Sequence, residues 1–94
     1  MKKRLIATEN KTVWEIYELD MWGNEEDGWD CNQEFPTGRF IEDMPEDNEK
    51  LIEKVKEWYT FKCNVEVEDW ANGTIEIKNA ETGEPLLRIV EHEA

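Results

Sequence analysis

Apolar and polar residues alternate with a period of two along several stretches of this chain, and at one place they switch to a helical period. From Thr12 to Met21 the run is aromatic and β-branched, with Trp14 and Ile16 on one face and Val13, Tyr17 and Leu19 on the other. Both faces of this strand are therefore expected to be partly covered. The preceding Lys2 to Thr8 (KKRLIAT), set off by Glu9-Asn10-Lys11, reads as its hairpin partner. Beyond an acidic turn at Gly23 to Gly28, Trp29 to Phe35 reads as the next strand, ended by Pro36-Thr37-Gly38, with Arg39 to Met44 as a short extended return. Asp27-Gly28 supplies the residues that tolerate φ > 0 in a tight reversal.

The helical stretch follows. Leu51, Ile52, Val55, Trp58 and Tyr59 recur at one face of a 3.6-residue period, after Met44-Pro45-Glu46-Asp47, which places Pro in the first turn and acids at the positive end of the dipole. This predicts a helix over about residues 45–60. Cys63, Val65 and Val67 then alternate with Asn64, Glu66 and Glu68; Asn72-Gly73 marks a two-residue hairpin; Ile75 and Ile77 resume the alternation. A turn around Glu81-Thr82-Gly83-Glu84-Pro85 leads to a last strand, Leu86 to Val90. The expected fold is α+β: an antiparallel sheet of about five to seven short strands packed against a single amphipathic helix. Residues 1–94 form one domain, without repeat or linker.

Composition sharpens this picture. With five Trp, two Tyr and three Phe in 94 residues, the core is expected to be rich in aromatics. A domain of this length buries roughly 60–65% of the surface of its unfolded chain. Acids outnumber bases 24 to 11, for a net charge of −13, so direct binding to phosphate backbones or anionic lipid is disfavoured and a basic partner is favoured. Cys31 and Cys63 form no CxxC, and no signal peptide or membrane-spanning run is apparent. Reduced thiols inside a cell are the expectation. The sequons at Asn10 and Asn72 then read as turns.

Little catalytic chemistry is in evidence. The chain has no serine, its one histidine is His92, and phosphate-loop, dinucleotide-turn and zinc spacings are missing. It reads as non-catalytic and free of cofactors. Gly28 and Glu34 have the spacing of the central Gly and closing Glu of an EF-hand, with Asp27 and Glu25 ahead of them. The first ligand position falls on Gly23, however, and the flanks read as strands, so a solvated β-turn is the expectation and a divalent-cation loop the third-ranked reading.

Asp20 to Gly38 is the stretch around which the function is read. From Glu15 to Glu49 there are 13 acids and one basic residue, Arg39. The candidate partner-binding residues are Glu25, Glu26, Asp27 and Asp30 in the loop, with Glu18, Asp20, Glu42, Asp43, Glu46 and Asp47 as an extended field. Trp22 and Trp29 belong either to the core or to a protein interface as anchors.

The run Asp20-Met21-Trp22-Gly23-Asn24-Glu25-Glu26-Asp27-Gly28-Trp29-Asp30-Cys31-Asn32, with Phe35 and Thr37-Gly38, resembles the WGN-xx-DGW-xx-N signature of small uncharacterised proteins of bacteriophages and other mobile elements. That family offers no catalytic or binding residue to carry over. By analogy only, an acidic phage protein is similar to the anti-restriction and anti-CRISPR inhibitors that imitate nucleic acid. Together, the acidic stretch and this analogy point to an accessory protein in the cytoplasm of a bacterial host cell that presents carboxylates to a basic, nucleic-acid-binding host protein, such as a CRISPR or restriction component, and inhibits it. The alternative is an interaction module, monomer or homodimer, using an aromatic patch or a strand edge.

Overall fold

The computed structural model of the protein describes residues 12–93. These form strands β1 (Thr12–Asn24) and β2 (Gly28–Ile41), helix α1 (Asn48–Val55), and strands β3 (Val65–Asp69), β4 (Thr74–Asn79) and β5 (Pro85–Glu93). All neighbouring strands are antiparallel, in the order β2-β1-β5-β4-β3. The expected strand at residues 2–8 lies outside the described residues.

The two edge strands, β2 and β3, are consecutive in sequence, so the connection between them has to cross the sheet. It does so through α1, which covers one face. Ile16, Ile41, Ile75, Ile77, Leu87 and Ile89 from the strands meet Leu51 and Val55 of the helix there, all buried. The core is thus aliphatic rather than aromatic. Trp14, Trp58, Tyr59 and Phe61 border it half-exposed, because a helix of eight residues roofs only a narrow strip and a large aromatic ring at its margin keeps one side in water.

The helix is shorter than the periodicity predicts. Asp47 is its N-cap and accepts a hydrogen bond from the Glu49 amide at 2.8 Å, which leaves Pro45 two residues ahead of the cap instead of in the first turn. After Val55 the chain tightens, the Glu57 amide bonding to the Lys54 carbonyl and Trp58 to that of Val55. The expected apolar face is nevertheless the one that packs: Leu51 and Val55 are buried, and Ile52, Trp58 and Tyr59 half-buried.

The N-terminal half also departs from the expected meander of short strands. Pro36-Thr37-Gly38 interrupts nothing: β2 runs through it to Ile41. Pro is tolerated because β2 is an edge strand. Thr37 and Gly38 are extra residues opposite the Ile16–Tyr17 step, with Gly38 at φ 75°. The Thr37 hydroxyl donates to the Ile16 carbonyl at 2.6 Å and accepts from the Arg39 amide, replacing bonds the ladder loses at this bulge.

Candidate functional site

β1 pairs with β5 only from Thr12 to Glu18, whereas its pairing with β2 continues to Asn24. The distal β1–β2 hairpin therefore projects beyond the rest of the sheet. Its tip is built by the residues of the WGN-xx-DG run. The Asn24 side-chain oxygen accepts from the Asp27 amide at 2.7 Å, and its NH2 group donates to the Asp27 carboxylate at 3.3 Å. Gly28 has φ 91°, as a three-residue hairpin loop with a left-handed position requires. At Gly23, with φ 114°, a Cβ would stand 2.1 Å from the Gly28 carbonyl oxygen. Only glycine fits.

Strand alternation continues the helix-covered face of β1 from Trp14 and Ile16 through Glu18, Asp20 and Trp22, now past the reach of the helix. On β2 their partners are Phe35, Gln33 and Asp30. This face of the hairpin carries the carboxylates of Glu18, Asp20 and Asp30 around two exposed aromatics, Trp22 at 63% and Phe35 at 45% exposure. Asn32, an extra residue opposite the Asp20–Met21 step, donates to the Asp20 carboxylate at 2.8 Å. Glu25, Glu26 and Asp27 are exposed at the tip. Among the described residues no ion pair reaches any of these acids.

The fold does not bring the whole acidic field together. Glu42, Asp43, Glu46 and Asp47 follow the far end of β2, roughly 30 Å from Asp30 at about 3.3 Å per strand residue. Asp47 is occupied as the helix cap. Trp29 separates from Trp22 as well: it lies half-buried on the other face of the hairpin, its indole N–H donating to the Thr82 carbonyl at 3.2 Å. Glu34, the closing residue of the calcium-like spacing, pairs with Arg88 on that same face. Among the described residues no cluster of acids, His and Cys is arranged to hold a metal ion.

Sequence reasoning missed a second arrangement, on the sheet face turned away from α1. One cross-strand row there runs Glu68, Glu76, Arg88, Tyr17. Arg88 donates through Nε (2.9 Å) and Nη2 (2.6 Å) to Oε2 of Glu76 and pairs with Glu34 of β2. Burial works against its charge, but the bonds to Glu76 and Glu34 and their negative fields more than offset this, so its pKa is raised. Lys78 pairs with Glu68; that hydrogen bond, outweighing desolvation, holds the ammonium pKa up, and the same bond holds the Glu68 carboxyl down. Farther along, Glu15 accepts from the Tyr17 hydroxyl at 3.2 Å and stands 3.4 Å from His92. Burial, then the Glu15 charge, pushes the Tyr17 phenol up.

Where Trp29 of the hairpin is tied to Thr82, this face carries an open groove of about 310 Å³, lined by Met21, Trp29, Trp70, Glu76, Lys78 and Arg88 among others. Trp70, in the β3–β4 turn, stacks over the Arg88 guanidinium at 5.4 Å. A signal for this layer was present in the sequence: Glu66 and Glu68, then Glu76 and Lys78, then Arg88 alternate with apolar residues on three strands and carry opposite charges. Pairing them required the strand order. Cys31 at the groove and Cys63 elsewhere are both free thiols. No described helix is long and apolar enough to cross a membrane.

Comparison with known proteins finds no matching family, no matching curated protein and no matching solved structure.

Proposed function

We propose that the protein is a non-catalytic binding protein whose distal β1–β2 hairpin enters the basic groove of a nucleic-acid-binding protein in place of nucleic acid. The observation that carries this reading is the unneutralised set Glu18, Asp20, Glu25, Glu26, Asp27 and Asp30 on a projecting hairpin, with exposed Trp22 among them. At about 3.3 Å per residue these charges spread over roughly 26 Å, close to one per 4 Å. Duplex DNA presents about one per 1.7 Å and a single strand about one per 3.4 Å. The hairpin therefore resembles a single strand more than a duplex, and Trp22 and Phe35 offer flat rings where that strand would offer bases.

A CRISPR or restriction effector with a single-strand channel is the class of host partner that fits, in keeping with the phage-like motif at the tip. Self-association through the same face is disfavoured, because a second copy would set carboxylates against carboxylates.

The test is affinity capture from a bacterial lysate at low salt, with single-stranded and duplex nucleic acid as competitors. The expected result is a basic nucleic-acid-binding protein that single strands displace, and whose capture is abolished when Glu25, Glu26 and Asp27 are changed together to Lys. Capture indifferent to both nucleic acid and charge reversal would overturn the reading.

A further inference from the structure

We infer that Asn72 is a site of self-modification: in the folded protein its side-chain amide is lost to attack by the Gly73 main-chain nitrogen, leaving an aspartyl or isoaspartyl residue in the β3–β4 turn. The inference does not depend on the function proposed above.

The chemistry needs nothing but water. The Gly73 N–H gives its proton to hydroxide, the nitrogen bonds to Cγ of Asn72, and the Cγ–Nδ2 bond breaks with loss of ammonia. Water then opens the cyclic imide at either carbonyl. One opening gives Asp; the other carries the main chain through Cγ and lengthens it by one carbon. In sum, water enters and ammonia leaves. Two conditions decide whether a folded chain allows this. The attacking nitrogen must be unshielded and unbonded, and the side-chain amide must be free to swing onto it.

Asn72 and Gly73 meet both conditions. Asn72 is exposed in the loop Ala71-Asn72-Gly73, and Gly73 has no side chain to shield its nitrogen. The loop is tied at its margins: the Trp70 amide bonds to the Thr74 carbonyl, the Glu91 amide to the Gly73 carbonyl, and the Ala71 amide to the Asp69 carboxylate. Among the described residues no hydrogen bond engages the Asn72 side chain or the Gly73 N–H. Ring closure there breaks no helix or ladder bond.

The other described asparagines each fail one condition. The Asn24 side chain is held by Asp27, and that of Asn32 by Asp20. Asn79 accepts from the Glu81 and Thr82 amides, and the nitrogen that would attack it, that of Ala80, bonds to the Asn64 carbonyl. The nitrogen after Asn48 is that of Glu49, bonded to Asp47. The one after Asn64 belongs to Val65, β-branched and at the start of β3. Asp27-Gly28, the acid counterpart of Asn72-Gly73, has its carboxylate bonded by Asn24.

The lengthened main chain of the isoaspartyl product would fall between Trp70 and Thr74, whose mutual bond closes the loop, and Trp70 is the residue stacked over Arg88 at 5.4 Å. The modification thus acts on the turn that brings Trp70 to the groove, and it adds one negative charge to a molecule of net charge −13.

The experiment keeps the full-length protein folded in mildly alkaline buffer, samples it over time and maps its peptides by mass spectrometry, alongside the same protein unfolded in urea. Asn72 is expected to take up the mass difference between an amide and an acid at a rate within about tenfold of that in urea, whereas the bonded asparagines react only after local opening and lag behind Asn72 by at least about tenfold. The ¹⁵N spectrum should lose the Asn72 side-chain NH2 signals over the same course. Asn72→Gln should remove the mass gain, since closure would need a larger ring. The exposed Asn72 side chain carries no bond whose loss could unfold the protein, so that variant is a fair control. Persistence of the gain in Asn72→Gln, protection of Asn72 in the folded protein by more than about tenfold relative to urea, or earlier conversion at one of the bonded asparagines would overturn the inference.

Discussion

Changing Arg88 to Met removes both guanidinium bonds to Glu76 and the ion pair to Glu34 in one step. The Glu76 side chain is 3% exposed, so its carboxylate stays behind in a buried site without its counter-charge. Breaking a buried pair in this way costs about 3–5 kcal/mol. Lys78 is near enough to act on Glu76 electrostatically and returns part of that, which places the expected loss near the lower figure, about 3 kcal/mol. For a domain of this length roughly 4–8 °C of melting temperature goes with each kcal/mol, giving a fall of about 12–24 °C. A second change, Glu76→Leu in the Arg88→Met background, removes the orphaned charge and should recover most of the loss, since a buried pair is often replaced by apolar side chains at little or no cost. Urea and thermal unfolding followed by far-UV circular dichroism on the wild type, both single variants and the double variant complete the cycle. A loss below about 1 kcal/mol for Arg88→Met, or a double variant no more stable than Arg88→Met alone, would show that this reasoning is wrong.

Three further outcomes are expected. Ala71 sits at φ 60° in the β3–β4 turn, so Ala71→Gly should raise stability by about 0.5–1 kcal/mol in urea unfolding, and Ala71→Val should lower it. Gly23→Ala should cost more than about 2 kcal/mol through the 2.1 Å approach to the Gly28 carbonyl; if the hairpin opens locally instead, faster amide exchange from Leu19 to Gln33 will report it. The hydrogen bond from Lys78 holds the Glu68 carboxyl below the ordinary glutamate range, so the pair's stabilisation is present above the unfolded pKa and is lost as pH falls through the folded value. A carboxyl titration by NMR should find the Glu68 midpoint depressed, and Lys78→Met should return it to the ordinary range.

The parts of this fold legible in the sequence are those that depend on near neighbours. Alternation at Val65 and Val67, Ile75 and Ile77 placed two strands, and the spacing of Leu51 and Val55 placed the buried face of the helix. Where a distant partner decides, local patterns misled. Pro36 reads as a strand end until β2 is known to be an edge. Asn72-Gly73 reads as a two-residue turn, yet the bond from the Trp70 amide to the Thr74 carbonyl closes a loop of Ala71, Asn72 and Gly73. The acidic character of the hairpin was plain from composition, but its separation from Glu42, Asp43, Glu46 and Asp47 followed from the length of β2. The groove was hidden altogether, because Trp29, Trp70, Glu76 and Arg88 meet only once β5 lies between β1 and β4.

The irregularities of β2 also decide how this molecule behaves in a crowd. An edge strand of 14 residues, otherwise uninterrupted, would be a template on which further chains could add strands. Here the extra residue Asn32, the imide nitrogen of Pro36 and the Thr37-Gly38 bulge break the outer rim into runs of about three or four residues, too short to seed intermolecular β-pairing. The projecting hairpin is thereby kept from polymerising, and its side chains are left as the means by which it meets other molecules.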